Sequence, residues 1–442
     1  MLYAIAYWTT GGGRLMLKKH FFLGLLAAVL VVAACSGNES DGSGETTVVR
    51  FQAQSSLQAG YDAVIEQFEE ANPGIEIESS YSPNETYPSV LRTQLQGGSG
   101  PDVFFTYPSS SDPHGVRLLA DAGYLEDLTG REWEPRIMES AKPQVTFDGR
   151  VYGWVPGAIV AGLGYNTELL SSELGLQIPR TFDDLLSMCE TIASEGKIPI
   201  AYQAGALAYN MLPINGTALS TVFYGEPRWQ EQRLAGEVSF ASTPGWRVAV
   251  QRVLDMQNAG CFQQGAAGAS SEEAFSLVAD GEAVMTWLPT SAWSVIEGLN
   301  PDIKLGQMPV PGTTEEDTVA YFAPNTAISV NADSNVKEAA LEFLDYTASE
   351  EVADQLAEDI LVLSAEQLSG KGLPPTIASG YANVFEDPDK VILGLQWGWN
   401  PDLTQTMETL IQGLISGQKT VDDVLTEMDQ AWDANPPEPP PQ

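Results

Sequence analysis

Residues 47–77, TVVRFQAQSSLQAGYDAVIEQFEEANPGIEI, decide the fold. The β-branched run at 47–52 predicts a strand, and the polar turn at 54–56 ends it. Apolar side chains then recur at helical spacing until Asn72-Pro73-Gly74 ends the helix, and a second strand begins at Ile75. Because strand and helix alternate in this way, we expect an α/β fold with a mainly parallel sheet.

The same alternation continues along most of the chain. Thr181 is the predicted cap of one of the later helices. A chain of 442 residues with this pattern is expected to form two domains or one large two-lobed unit. The further predicted elements are strands at 103–105, 151–155, 162–165, 198–202, 283–287 and 326–330, and helices at 87–96, 182–195, 246–258, 271–279, 336–347, 350–358, 403–415 and 421–433.

The N-terminal stretch 16–37, MLKKHFFLGLLAAVLVVAACSG, has the three regions of a secretory signal. Its uninterrupted apolar run, 21–32, is too short for an ordinary membrane-spanning helix. The cysteine after Val32-Ala33-Ala34 resembles a bacterial lipoprotein processing box, although Val32 replaces the usual leucine. This resemblance implies cleavage after residue 34 and lipidation of Cys35. A plain signal peptide, or a buried apolar helix with an incidental cysteine, is the alternative.

Three terminal segments lie outside the predicted fold. Residues 1–34 are the expected signal peptide, with Met16 as the expected start because 1–15 lack signal features. Residues 35–46 are rich in Gly, Ser and acids and are expected to form a flexible spacer. Residues 434–442 are a proline-rich tail, expected to be disordered.

The charge of the chain excludes several classes of partner. It has 59 acidic and 21 basic residues and a net charge of −38. A chain this acidic does not attract nucleic acid or an anionic membrane surface. We therefore expect contact with the membrane only through the lipid.

Histidine and cysteine are scarce. His20 lies in the leader, so His114 is the one histidine left, and a Ser-His-Asp triad or a multi-histidine metal site has almost no material; we interpret His114 as a loop residue rather than a catalyst. Gly97-Gly98-Ser99-Gly100 lacks the Lys-Ser/Thr of a nucleotide loop, so no cofactor and no metal are expected. In an exported chain Cys189 and Cys261 are expected to form a disulfide; two buried thiols are the alternative.

Several motifs in order carry a resemblance to a known family. The chain resembles extracellular solute-binding proteins of bacterial ABC importers, in the carbohydrate-binding branch that includes maltose-binding protein. The matching segments are 68–75 (FEEANPGI), 98–104 (GSGPDVF), 123–128 (GYLEDL), 149–156 with 165–166, 179–185 (PRTFDDL), 280–285 (DGEAVM), 339–353 and 416–421.

The resemblance implies a type II periplasmic-binding-protein-like fold. Two α/β lobes joined by three hinge segments would close over a ligand in the cleft between them. The implied first lobe is 47–156 plus 309–347, and the second is 160–305 plus 350–433. Both cysteines of the expected disulfide would then lie in the second lobe.

The candidate ligand-binding residues are aromatic or polar, because sugars offer C–H faces that stack on aromatic rings and hydroxyls that bind polar groups. Open α/β sheets bind ligands beyond the carboxyl ends of their strands. For each position, the alternative to ligand contact is core packing or a solvated loop. Ser291 stands where the maltose-binding protein has a tryptophan that stacks on the sugar. The candidates are Gln54, Ser55, Ser56, Thr106, Tyr107, Trp154, Tyr209, Asn210, Trp287, Ser291, Trp397, Trp399 and Asn400.

These observations predict a lipid-anchored receptor on the outer face of the cell membrane. It would bind a mono- or oligosaccharide and deliver it to the permease subunits of an ABC importer, as a monomer and without enzymatic activity. A polyamine is the alternative ligand, because the acidity and the aromatic residues also suit a cation; ferric iron fits less well. The alternative classes of protein are a secreted glycoside hydrolase and a structural surface protein.

Overall fold

The structure is a computed structural model, and it describes most of the chain. The predicted signal peptide, Cys35, the proline-rich end of the tail and the Trp397–Asn400 cluster lie outside the described residues. The described residues are 46–83, 86–108, 114–138, 141–206, 209–324, 326–360, 362–368, 370–394 and 401–436.

Strands and helices alternate as the sequence predicts. The strands are β1 (Thr47–Gln54), β2 (Ile75–Ser82), β3 (Val103–Thr106), β4 (Thr146–Phe147), β5 (Arg150–Val151), β6 (Ile159–Asn166), β7 (Ile198–Ala201), β8 (Ala283–Pro289), β9 (Leu305–Met308), β10 (Ala320–Ala323), β11 (Ala327–Val330) and β12 (Val391–Leu393).

The helices cover the two sheets. They are α1 (Gln58–Ala71), α2 (Tyr87–Gln96), α3 (Val116–Asp121), α4 (Lys142–Val145), α5 (Phe182–Ser194), α6 (Leu212–Ala218), α7 (Trp229–Leu234), α8 (Pro244–Asn258), α9 (Ser271–Ala279), α10 (Trp293–Leu299), α11 (Lys337–Thr347), α12 (Glu350–Asp359), α13 (Ala365–Leu368), α14 (Pro375–Phe385), α15 (Pro401–Ile415) and α16 (Val421–Ala434).

The first sheet matches the prediction of parallel pairing. Its order is β11-β3-β1-β2, and β1 lies parallel to both β2 and β3. Only β11 runs antiparallel, against β3. Phe51 of β1 packs against Tyr61 of α1 and Phe343 of α11, with ring centroids 4.8 and 5.7 Å apart, so helices on the sheet bury its apolar face.

The second sheet is mixed, and the expectation of a mainly parallel sheet is wrong for it. Its order is β12-β10-β6-β8-β7, with β9 beside β6 as well. The central strand β6 is antiparallel to β8, β9 and β10, whereas β7 with β8 and β10 with β12 are parallel pairs. The chain returns to this sheet from other parts of the fold, which permits antiparallel neighbours.

Two features stabilise the second lobe beyond its sheet. Cys189 of α5 and Cys261, both fully buried, form a disulfide with Cα atoms 4.9 Å apart. The rings of Trp229, Phe240 and Trp246 lie 4.9–5.4 Å from one another and form an aromatic core. The predicted cap is confirmed, because the Thr181 hydroxyl accepts the amide hydrogen of Asp184 in a capping box.

Two of the expected lobe boundaries require correction. The resemblance places 309–347 in the first lobe, yet β10 lies in the second sheet because Tyr321 and Ala323 pair with β6. The resemblance places 350–433 in the second lobe, yet α12 packs on α1 and α11 of the first. The chain therefore crosses between the sheets between β5 and β6, between β10 and β11, and after α12.

The first and third connections are bonded to each other. Ala158 and Leu363 exchange both backbone hydrogen bonds, at 2.9 and 2.8 Å. A Cβ atom on Gly157 would lie 2.4 Å from the Leu363 carbonyl oxygen, so this approach requires glycine. Trp154 exchanges backbone hydrogen bonds with Ile328 at the first-lobe end of the same connection.

Candidate functional site

The candidate site is defined by the two sheet edges at which the connections leave, here called the cleft edges. The first-lobe cleft edge holds the ends of β1 and β3 and the start of β11. The second-lobe cleft edge holds the ends of β7, β8 and β10 and the start of β6. Ala323 and Ala327 are four residues apart, so the two edges approach within roughly 14 Å at that connection.

On the first-lobe cleft edge, β1 places three predicted residues together. Gln54 ends the strand and is partly exposed, and Ser55 and Ser56 follow it exposed in a single 3-10 turn before α1. Their side chains are free to meet a solute.

Thr106 and Tyr107 leave the end of β3 with different roles. Thr106 is fully buried, and its hydroxyl lies 2.8 Å from the Ser329 hydroxyl and donates to the Ala327 carbonyl at 3.3 Å. This side chain therefore holds β3 to β11. Tyr107 is partly exposed, and its ring lies 5.3 Å from that of His114.

His114 is packed behind Tyr107. Its ring is 5% exposed and lies 5.8 Å from Tyr87 and 5.5 Å from Phe105. Neither ring nitrogen has a hydrogen-bond partner among the described residues. Burial lowers the pKa of His114 to about 4, so this imidazole is neutral at neutral pH.

On the second-lobe cleft edge, Trp287 is a core residue. It is fully buried, and its carbonyl accepts a 2.6 Å hydrogen bond from Gln203 Nε2. Its indole nitrogen is buried without a partner among the described residues. Ser291 is partly exposed two residues beyond β8, next to Trp293, whose indole donates to Gln307 Oε1 at 2.8 Å.

Tyr209 and Asn210 lie in the segment between β7 and α6. Tyr209 is partly exposed and meets Phe275 edge-to-face at 5.6 Å. Asn210 is fully buried, and its Nδ2 donates to the carbonyls of Ala204 at 3.2 Å and Glu408 at 3.0 Å. Asn210 therefore ties this segment to the middle of α15.

Trp154 belongs to the first connection. It is 3% exposed, its ring lies 5.2 Å from that of Trp133, and the Arg136 guanidinium lies 5.4 Å above it. It lines a cavity of about 610 Å³ together with Glu350 and Lys371. The structure thus gives Trp154 a packing role at the connection.

Trp397, Trp399 and Asn400 lie outside the described residues. In the sequence they follow β12, whose residues Val391–Leu393 pair with β10 at the second-lobe cleft edge. They remain predictions for the site.

Sequence reasoning missed Glu408 and Gln203. Glu408 is half-buried on α15, and burial raises the pKa of its carboxyl to about 7. No sequence signal distinguishes it from the other acids. Gln203 follows β7 and is fully buried, and its Oε1 accepts a hydrogen bond from the Thr286 hydroxyl at 3.2 Å. Its sequence signal is that it is a polar residue directly after a predicted strand.

One cavity among the described residues lies away from the cleft edges. It measures about 800 Å³ and lies at the opposite end of β6, where Tyr165, Arg180 and Asn383 line it. The described residues contain no group of three or more His, Cys, Asp or Glu that could hold a metal. Within the same residues, no helix is both long and apolar enough to cross a bilayer.

Known proteins share this architecture. The bacterial extracellular solute-binding protein family matches residues 54–354. The multiple sugar-binding protein of Streptococcus mutans is 24% identical over 396 residues, 87% of this chain and 91% of that protein. The structure of SBP RafE in complex with raffinose has a TM-score of 0.68 at 21% identity and covers 87% of this chain and all of that one. A sugar transporter of Bacillus licheniformis in complex with stachyose has a TM-score of 0.62 at 21% identity and covers 87% of this chain and 98% of that one.

Two α/β lobes, joined by three connections at facing polar edges, define a two-lobed periplasmic-binding-protein-like fold. The chain belongs to the bacterial extracellular solute-binding protein family.

Proposed function

We propose that this chain is a carbohydrate receptor of an ABC importer, held outside the cell membrane by a lipid on Cys35. It binds a mono- or oligosaccharide between the cleft edges and delivers it to the permease as a monomer. The observation that carries this proposal is the joining of two polar cleft edges by three short connections, the geometry of hinge closure around a ligand.

The names of similar proteins support the choice of ligand. The relative from Streptococcus mutans is named a multiple sugar-binding protein, and the two structures hold raffinose and stachyose. Exposed Ser55 and Ser56 and partly exposed Gln54, Tyr107 and Tyr209 supply the hydroxyl, amide and aromatic groups that sugars require. Family membership also supports binding without catalysis.

A thermal-shift screen of the mature protein against mono- and oligosaccharides tests the ligand class. A specific sugar raises the Tm by mass action, and calorimetry with that sugar gives a saturable isotherm. Trp399→Ala should weaken the shift, whereas Val295→Ala, at an exposed site on α10, should not. Absence of any shift with every sugar, together with binding of a polyamine, would replace the carbohydrate with the alternative ligand.

The anchor has a separate test. Mass spectrometry of the protein from cell membranes should find an acylated N-terminal Cys35, and Cys35→Ala should release the protein into the medium. An unacylated Cys35 would contradict the anchor without affecting the sugar.

A further inference from the structure

The cavity of about 800 Å³ at the far end of β6 has the dimensions of a binding site. Small-molecule sites occupy roughly 300–1,000 Å³. Its walls come from the segments 176–180 and 309–318 and from one side of α14. Because β6 and β9 belong to the second sheet and α14 packs on β9, these walls lie in the second lobe. The shape of this cavity therefore does not depend on closure of the two lobes.

The walls are fixed by hydrogen bonds and by close packing. The Phe182 amide donates to the Gly312 carbonyl at 2.8 Å, and the Gly312 amide donates to the Thr318 hydroxyl at 2.9 Å. On the other side, Gly380 lets α14 approach β9, since a Cβ atom there would lie 2.3 Å from the Gln307 carbonyl oxygen. A solute therefore meets preformed walls and binds without the free-energy cost of ordering them.

Four buried side chains of the lining are apolar. They are Pro179, Pro309, Pro311 and Val384. Proline rings lose no rotamer entropy on burial, so they form a rigid surface. Such a surface suits the C–H face of a ring-shaped solute.

Neutral hydroxyl and amide groups supply polar contacts in the same cavity. The Tyr165 hydroxyl lies 3.0 Å from the Ser379 hydroxyl. Ser171, Gln177 and Asn383 also line the cavity, with exposed side chains. Each of these groups can donate and accept hydrogen bonds, as the hydroxyls of a sugar do.

The charged side chains of the lining balance one another. Arg180 and Glu315 form an ion pair at 3.2 Å, and Lys390 and Glu316 add one charge of each sign. This balance contrasts with the net charge of −38 on the whole chain. A polyamine or a polyanion meets no net counter-charge here, so the lining favours an uncharged solute.

We propose that this cavity is a second carbohydrate site, separate from the cleft, which binds a short stretch of a neutral oligosaccharide. An apolar surface with neutral hydroxyl and amide groups and no net charge is the chemistry that recognises such a solute. The inference goes beyond the proposed function, because binding here needs no movement of the lobes. The site can hold one part of a carbohydrate chain while the cleft opens and closes.

Hydrogen exchange of the mature protein in about 10 mM stachyose or cellotetraose tests the site. The lining has no exposed aromatic ring for stacking, so we expect a Kd of about 1 mM. At that affinity, exchange in the peptides 167–180, 309–318 and 375–385 should slow by roughly fivefold to tenfold with at least one of the sugars. Spermidine or citrate at the same concentration should leave these peptides unchanged.

Two variants that fill the cavity assign the effect to it. Ser379→Trp places an indole in the cavity from α14, and Gln177→Trp does so from the opposite wall, both at exposed positions. Each should abolish the slowing in the three cavity peptides, and the second variant serves if the first does not fold. Ser187→Trp, at an exposed serine on α5, is the matched control and should behave as wild type.

The peptides 52–58 and 286–293 at the cleft edges report binding in the cleft separately. If they slow with sugar while the cavity peptides do not, the inference is overturned and the proposed function stands. If the cavity peptides slow while no sugar affects the cleft edges, the second site stands and the proposed function fails. Slowing that survives in both filled variants, or that spermidine or citrate produces equally, also overturns the inference.

Discussion

Two titratable groups, buried His114 in the first lobe and half-buried Glu408 in the second, respond to pH in opposite directions. Burial disfavours the charged form of both, lowering the pKa of His114 in the first lobe to about 4 and raising that of Glu408 in the second to about 7. At neutral pH the imidazole is uncharged, whereas the carboxyl is close to its titration midpoint. Of these two groups, Glu408 is therefore the one whose charge changes near neutral pH.

The lobes also differ in what stabilises them. In the first, Asp102 is a buried anchor that accepts the Arg50 amide hydrogen at 2.9 Å and the Ser334 hydroxyl hydrogen at 2.8 Å. In the second, a covalent bond joins Cys189 and Cys261 across 72 residues of sequence. Covalent and polar anchors predict different responses to reduction and to mutation.

The largest expected effect is removal of the disulfide. The double variant Cys189→Ala/Cys261→Ala should lower the free energy of unfolding by about 4 kcal/mol. The reason is that opening a loop of this length raises the conformational entropy of the unfolded chain, which stabilises the unfolded state by that amount. Guanidinium unfolding gives the total loss, and hydrogen exchange should place the loss in α5 and β7 while α1 stays protected.

Reduction of the wild-type protein is the matched control, because it opens the same loop without changing the sequence. Equal loss of protection in α1 and α5 would show that the two lobes unfold as one unit and would end the contrast between them.

The first lobe was more predictable from sequence than the second. Its strands follow one another with a helix between, so periodicity in 47–105 gives both the elements and the parallel pairing. The second sheet recruits β10 and β12 from distant parts of the chain, and the four-residue β10 has no helical or alternating pattern of its own. Its pairing with β6 is a tertiary property that local sequence does not encode.

The sequence predicts candidate positions at strand ends, but not the burial of their side chains. Strand ends directed attention to Gln54, Thr106 and Trp287. Whether a side chain at a strand end faces solvent or the core depends on its neighbours, and Thr106 and Trp287 are fully buried. The environment of Glu408 is set by packing around α15, which a sequence rich in acids cannot reveal.

Asp102→Ala tests the polar anchor of the first lobe. The substitution leaves the partly buried Arg50 amide without its acceptor, so it should lower the free energy of unfolding by roughly 2–3 kcal/mol in urea. Loss of the exposed pair Asp127–Arg150, through Arg150→Ala, should cost less than about 1 kcal/mol. Equal effects of the two would show that burial does not decide the strength of these pairs.

The lowered pKa of His114 predicts that acid lowers the free energy of unfolding of the first lobe. The folded pKa of about 4 lies below the ordinary value of 6.5, so the unfolded chain binds the proton first and stability falls as pH drops through this window. The loss at pH 5 should be about 2 kcal/mol relative to pH 7.5. His114→Leu, which fills the same apolar site and cannot titrate, should remove this part of the pH dependence in urea unfolding. If the free energy of unfolding of His114→Leu falls with pH as steeply as that of wild type, other groups cause the loss of stability in acid.

The raised pKa of Glu408 predicts the opposite pH dependence of stability in the second lobe, with a smaller change in the free energy of unfolding. Its folded pKa of about 7 lies above the ordinary value of 4.5, so the folded protein holds the proton more tightly and stability falls as pH rises from 4.5 through 7. Glu408→Gln should therefore raise the stability of the unliganded protein at pH 8 by about 1 kcal/mol, a figure reduced for solvent screening of a half-buried group. It should have little effect at pH 5, where wild type is already protonated. Urea unfolding of both proteins at the two pH values measures the difference, and a gain of the same size at pH 5 would mean that Glu408 acts through packing rather than charge.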